Sequence, residues 1–185
     1  MRINNYTAAG LRTSKINGDI YTHYIWAGDN LIGETRGTEV QIPEELAFEM
    51  GPRTVITYLY GTNGITGFTL AGTPYYYRKN LQGDVTHILQ TNGNIVASYS
   101  YDAWGNHEVT CFSSSGAVIA SGATQSHVGN INPIRYRSYY YDTETGLYYL
   151  KSRYYDPETG RFINMDSPDY MEPGIVNGLN LYVCK

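Results

Sequence analysis

Tyr140-Tyr141-Asp142-Thr143-Glu144-Thr145-Gly146-Leu147-Tyr148 returns as Tyr154-Tyr155-Asp156-Pro157-Glu158-Thr159-Gly160-Arg161-Phe162, one phrase said twice at an offset of 14 residues. A unit that short has room for one strand and one turn. Each copy opens on aromatic residues suited to a pleated surface and follows them with an aspartate whose side chain can hydrogen-bond the backbone just ahead of it. Four residues further on comes a glycine, which tolerates positive φ. Strand, turn and return strand are therefore expected from Arg135 to Phe162.

The composition extends this reading to the whole chain. Its 185 residues suffice for one domain with a real core. Twenty tyrosines and twenty glycines, set against 16% charged residues, describe strands and turns rather than helices or disorder. Leu, Ala, Glu and Lys, which fill exposed helix faces, are scarce, so the expected class is all-β: meandering antiparallel hairpins in a curved sheet. A net charge of −4 with no basic run argues against nucleic acid as a main partner. No stretch approaches the roughly 18 apolar residues of a membrane span, and the Met1-Arg2-Ile3-Asn4 start lacks a signal peptide's apolar core. Cys111 and Cys184 are read as ordinary small residues, with a disulfide as the second reading. His23, His87, His107 and His127 are scattered singly, so no metal and no cofactor are expected.

A looser phrase, Tyr-x-x-x-Gly, occurs from Tyr6, Tyr24, Tyr60, Tyr101 and Tyr170; composition alone would give about two. Asn63-Gly64 is a strong hairpin signal after Thr54-Val55-Ile56-Thr57-Tyr58-Leu59-Tyr60. In Ile95–Tyr101 the larger apolar residues Ile95, Ala97, Tyr99 and Tyr101 alternate with Val96, Ser98 and Ser100, as a half-buried strand requires. Pro43-Glu44-Glu45, closed by Gly51, has the asymmetry of a short helix near 43–50; an irregular insertion between strands is the competing reading. Ser113–Gly116 and Ser121–Ser126 are small and polar, which reads as a flexible surface connection over 111–131. Hairpins over 1–110 precede it and the aromatic block, 132–185, follows.

The run Arg135-Tyr136-Arg137-Ser138-Tyr139-Tyr140-Tyr141-Asp142 through Arg153-Tyr154-Tyr155-Asp156-Pro157-Glu158-Thr159-Gly160-Arg161-Phe162-Ile163-Asn164 resembles the core segment of Rhs or YD-repeat proteins. These form the shells of bacterial polymorphic toxins, of insecticidal toxin complex C components and of teneurins. Tyr75–Val85, joined through Asn92-Gly93-Asn94 to Tyr99-Ser100-Tyr101-Asp102-Ala103-Trp104-Gly105-Asn106, is similar to a complete family repeat. The opening residues look like the second half of a unit. The resemblance implies a hollow casing around a C-terminal toxin, a secreted or cell-surface setting, and as partners the rest of such a shell and its enclosed toxin polypeptide. Open sheet edges add the expectation of self-association.

The residues expected to carry the motif are Tyr101, Asp102, Gly105, Arg135, Tyr141, Asp142, Gly146, Arg153, Tyr154, Tyr155, Asp156, Pro157, Gly160, Arg161 and Phe162. Their expected role is structural, with aspartates in turns and arginines stacked on rings or paired with acids. Family shells resemble self-cleaving aspartyl proteases, which need two carboxylates sharing one proton. By motif position the first falls on Asp166, where Asp166-Ser167-Pro168-Asp169 stands in place of the usual Asp-Pro-x-Gly, and the second lies beyond residue 185. The expectation is therefore a scaffold that is not an enzyme. The alternatives are a cell-wall or carbohydrate-binding module presenting its rings to sugars, and an incomplete self-cleaving protease.

Overall fold

In the computed structural model residues 2–41, 48–50, 53–119, 124–165 and Tyr182 are described. Among them the protein is built mostly of antiparallel strands, as expected. It divides into two compact units, residues 1–78 with 88–94, and residues 79–87 with 95–185.

In the first unit β1 (Arg2–Tyr6), β2 (Arg12–Asn17), β3 (Ile20–Ala27) and β4 (Asn30–Gln41) follow one another as antiparallel neighbours. β6 (Thr54–Gly61) pairs with β4, then β7 (Gly64–Leu70) and β8 (Thr73–Lys79) continue the meander. Period-two patterning decides the faces: Ile56 and Tyr58 of β6 are buried while Val55 and Thr57 of the same strand are exposed. Row-mates Tyr24, Glu34 and Ile56 are buried too. A buried carboxylate demands partners. Glu34 Oε1 receives a guanidinium N–H of Arg36 at 2.6 Å, from the same face two residues on, and the Tyr58 hydroxyl at 3.1 Å. Phe68 is fully buried, its ring centroid 5.4 Å from that of Tyr75 and 5.6 Å from that of Tyr77. The Asn63-Gly64 signal marks a real hairpin: Thr62 and Asn63 form the loop and Gly64 pairs with Gly61.

The helix expected near 43–50 is corrected for its last three residues. Phe48–Met50 form a strand, β5, paired with Glu39–Gln41. β4 runs on to Gln41, past Thr38 where its pairing with β3 ends and Arg36 where its pairing with β6 ends, and β5 takes up the backbone groups this extension presents. The rest of that expected helix, 43–47, lies outside the described residues.

β9 (Val85–Leu89) contributes its first three residues to the second unit. There β10 (Ile95–Tyr101) pairs with β11 (His107–Cys111); Ala97 and Tyr99 of the expected inner face are buried, and so is Val96 of the opposite face. The 111–131 stretch contains a bridge between Phe112 and Val118 and a one-turn helix, α1 (Val128–Ile131), capped by the His127 side chain. The aromatic block folds into a four-stranded sheet of β12 (Tyr140–Asp142), β13 (Leu147–Leu150), β14 (Arg153–Asp156) and β15 (Arg161–Phe162).

The 14-residue repeat is the pitch of this sheet. Tyr141 pairs with Tyr148, Tyr148 with Tyr155 and Tyr155 with Phe162, so the same face meets an aromatic ring on every strand. Successive centroids are 5.0, 6.4 and 5.5 Å apart, within the range in which ring pairs attract beyond simple burial. On the opposite face Tyr149 packs on Tyr154 at 5.3 Å. Removing the middle rung should be costly: Tyr148→Ala should lower stability by about 3–5 kcal/mol in urea unfolding, whereas a loss below about 1 kcal/mol would show that the ladder is not the core of this unit.

Candidate functional site: an aromatic dock around the Asp102–Gly105 turn

The turn after Tyr101 is built from its own sequence. Asp102 Oδ1 accepts the backbone N–H groups of Trp104 at 2.8 Å and Asn106 at 2.9 Å, and Oδ2 accepts the Asn106 side-chain amide at 2.8 Å. That amide, followed by the other donors, holds the Asp102 carboxyl below its ordinary pKa. Asp102 N–H donates to Asn106 O and Gly105 N–H to Asp102 O. The same pair of backbone bonds recurs from Thr7, Asn80, Gln90 and Ser113. It is the three-residue hairpin loop whose last residue takes positive φ. The looser Tyr-x-x-x-Gly phrase thus has a physical meaning at Tyr6 and Tyr101, where the residue after the tyrosine opens this loop.

What distinguishes the Asp102 turn is its cover. Three tyrosine hydroxyls of the 132–164 segment donate to its consecutive carbonyls: Tyr136 to Ala103 at 3.2 Å, Tyr155 to Trp104 at 2.9 Å and Tyr148 to Gly105 at 2.9 Å. The Asn106 amide reaches the Pro157 carbonyl at 3.1 Å. Two glycines permit the approach. A Cβ on Gly105, where φ is +94°, would lie 2.7 Å from the Tyr136 ring, and one on Gly160, where φ is +67°, would lie 2.7 Å from the Trp104 indole.

Beneath the turn lies a buried cation. Arg135 is 3% exposed, and among the described residues no carboxylate pairs with it. Its Nε donates to Asn132 O at 3.2 Å and one Nη to Asn130 O at 3.3 Å, while its other Nη donates to His107 Nε2. The guanidinium carbon lies 4.8 Å from the Tyr141 ring centre and 5.5 Å from that of Tyr99. Carbonyls and ring faces thus stand in for a counter-ion.

This arrangement fixes the histidine tautomer. Because an arginine N–H can only donate, His107 Nε2 must accept, so the ring proton sits on Nδ1 and donates to the Tyr148 oxygen 3.1 Å away. Tyr148 then passes its own proton toward Gly105 O. Burial, and after it the Arg135 charge, pull the His107 pKa down to about 4, so the ring is neutral at pH 7. Burial likewise pushes Tyr99 up to about 12 and raises Tyr101 and Tyr148. The network orients and holds; its nucleophile-capable oxygens are kept protonated.

Several motif residues meet in this dock: Tyr101, whose hydroxyl donates to Val85 O at 2.7 Å, with Asp102, Gly105, Arg135, Tyr141, Tyr155, Pro157 and Gly160. Asp142 and Asp156 sit at the paired turns, where the N–H of Gly146 and that of Gly160 donate to their carbonyls at 2.9 Å. Asp156 Oδ1 also accepts the Glu158 N–H at 2.9 Å. Arg153 lies 3.7 Å over the Phe162 ring centre, Tyr154 packs on Tyr149, and Arg161 is exposed. Sequence reading missed His107, Asn132 and Tyr148 as site residues; only the aromatic ladder at seven-residue spacing could have pointed to Tyr148. Tyr140, Tyr148, Tyr149 and Tyr155 are buried and so are not presented to a sugar. Asp166, Asp169 and Cys184 lie outside the described residues. Among the described residues no group of His, Cys, Asp and Glu could hold a metal, and no helix is long and apolar enough to cross a membrane.

No protein-family model matches the chain. It is 36% identical over 168 residues to the tRNA3(Ser)-specific nuclease WapA of Bacillus spizizenii and, over the same length, to the tRNA(Glu)-specific nuclease WapA of Bacillus subtilis subsp. natto. In each case 89% of this chain matches 6% of the relative. It is 28% identical over 181 residues to double-stranded DNA deaminase toxin A of Burkholderia cenocepacia, where 95% of this chain matches 12% of the relative. Its fold is shared with the Photorhabdus luminescens Tc holotoxin pore containing a TccC3 variant, with a TM-score of 0.66 at 22% identity, covering 98% of this chain and 8% of that one. The fold is thus Rhs-like, and the chain spans only 6% to 12% of the curated toxin proteins it matches. The expectation of a protein that is not an enzyme is corrected by these matches: the relatives are named as nucleases and a deaminase, of which this chain spans a small part.

The close approaches make the dock testable. Gly105→Ala should destabilise the protein by at least about 2 kcal/mol, because the new methyl meets both a positive φ and the Tyr136 ring. Tyr155→Phe should cost only about 1 kcal/mol, the net worth of one hydrogen bond. Chemical denaturation measures both, and equal losses would contradict the steric reading of Gly105.

Proposed function

We propose that this chain is a segment of the wall of an Rhs-type toxin, a scaffold that helps to sequester the toxin's enzymatic part and to deliver it. The observation that carries the proposal is the even similarity to nucleases of different named specificity: the chain matches the tRNA3(Ser)-specific and the tRNA(Glu)-specific relatives at the same 36% over the same 168 residues. A stretch that decided which tRNA is cut would not be equally like both, so its role is one that such toxins share. Catalysis of the nuclease or deaminase kind belongs, on this reading, to the longer polypeptide of which such a wall is part.

The physical design agrees with a wall. Hairpins following one another as neighbours make a sheet that grows by adding strands, and the dock ties the aromatic block into its own unit through hydroxyl-to-carbonyl bonds. β1 is the last strand of its sheet on one side, and four of its five residues are exposed, so its outer edge suits a further strand of the same wall. The partners implied are other parts of the same toxin.

Loosening the dock should open the wall. In the polypeptide encoded by the native gene, Gly105→Ala combined with Gly160→Val should speed protease digestion of regions outside this segment several-fold; digestion at the parental rate would contradict a containing role. The isolated 185-residue chain should self-associate through its open edge in sedimentation velocity; a monomer at every concentration would show that the edge is not a pairing surface.

A further inference from the structure

We propose that His107 and Arg135 form an acid-sensitive latch: protonation of the His107 ring releases the four-stranded aromatic sheet from the Asp102–Gly105 turn.

His107 is the first residue of β11, directly after the docked turn, and its two ring nitrogens are both committed, Nε2 to an Arg135 N–H and Nδ1–H to the Tyr148 oxygen. A proton added to the ring can go only to Nε2. There it removes the acceptor of the arginine hydrogen bond and sets two cations against each other inside the unit.

Among the described residues no carboxylate contacts the ring to absorb that charge. Three aromatic rings pack on the imidazole: Tyr101 of β10 at 6.0 Å between centroids, Tyr141 of β12 at 4.5 Å and Tyr148 of β13 at 6.3 Å. Arg135 is the one charged group in contact with the ring among the described residues. Asp84, Glu144 and Glu158 act on Tyr101, Tyr141 or Tyr148, not in contact with His107. Asp84 itself is engaged with the Arg137 N–H at 2.8 Å and the Asn80 amide at 2.6 Å. Relief therefore comes from separating the pair. Arg135 leads straight into Tyr136, and Tyr148 shares its oxygen between His107 and Gly105, so separation withdraws two of the three hydroxyls that hold the turn.

The direction with pH follows from linkage. With the His107 pKa at about 4 when docked and near 6.5 when free, the undocked form binds more protons between pH 6.5 and pH 4. Docking is fully favoured above that window and weakens as pH falls through it. The expected loss between pH 7 and pH 5 is about twentyfold in the docking equilibrium, where most carboxylates are still ionised.

Hydrogen exchange read by mass spectrometry on the 185-residue chain, corrected for intrinsic rates, tests the latch. From pH 7 to pH 5 protection of residues 140–156 should fall about twentyfold relative to residues 56–70, and in His107→Gln, which accepts from Arg135 but cannot titrate, the two segments should change together. A relative fall under about twofold in the parent, or the same fall in the variant, would overturn the proposal. Should the variant not fold, an NMR titration of the parent decides: the latch requires the Nδ1–H tautomer of His107 to persist to pH 5 and its protonation to coincide with loss of protection. A ring that titrates near pH 6.5 with the sheet still docked would also overturn it.

Discussion

Three neighbouring carbonyls on one tight turn, Ala103, Trp104 and Gly105, each receive a tyrosine hydroxyl from the aromatic block, and the second unit is organised around that fact. A turn sheds its backbone polar groups to water by default, and covering it with protein is tolerable only if each covered carbonyl finds a donor. Tyrosine solves both parts at once, since its ring supplies apolar surface and its far end supplies the donor. The buried set Tyr136, Tyr148, Tyr155 and Phe162 is arranged so that the tyrosines reach the turn while Phe162, with no hydroxyl, closes the row from the side. Gly105 and Gly160 are then fixed by contact as much as by conformation.

The dock also explains why a buried arginine is tolerated. Arg135 takes carbonyls at the end of α1, an imidazole and two ring faces in place of a carboxylate. An ion pair there would survive acid down to the carboxylate range; a neutral histidine gives way sooner. The choice of partner makes the same contact both a support and a point of weakness.

Much of this was legible in the sequence, and the limits are instructive. The 14-residue repeat announced strand, turn and return strand because strand period and turn length add up to a fixed pitch, and the structure extends these to a four-stranded sheet. The turns at Asp102, Asp142 and Asp156 are held by bonds that are local in sequence. What could not be read was long-range: the Asn106–Pro157 and Tyr148–His107 contacts join residues 51 and 41 positions apart, and no periodicity encodes them. Near residue 48 a Pro-to-Gly asymmetry suggested helix, but an unpaired extension of β4 offered backbone partners and Phe48–Met50 became strand. Within 111–131, small polar residues suggested only a connection, yet His127 caps α1 and the carbonyl that follows at Gly129 accepts the Tyr99 hydroxyl at 2.6 Å. The absence of a catalytic motif in this chain said nothing of the longer enzymes it resembles.

The most direct measurement of the docked turn is the nuclear Overhauser effect between Gly160 Hα and the Trp104 ring proton on Cε3. The account predicts a strong cross-peak at pH 7, since a Cβ on Gly160 would stand 2.7 Å from that carbon. A folded, dispersed spectrum in which that cross-peak is missing would mean the aromatic sheet does not sit on the Asp102–Gly105 turn, and the account would fail.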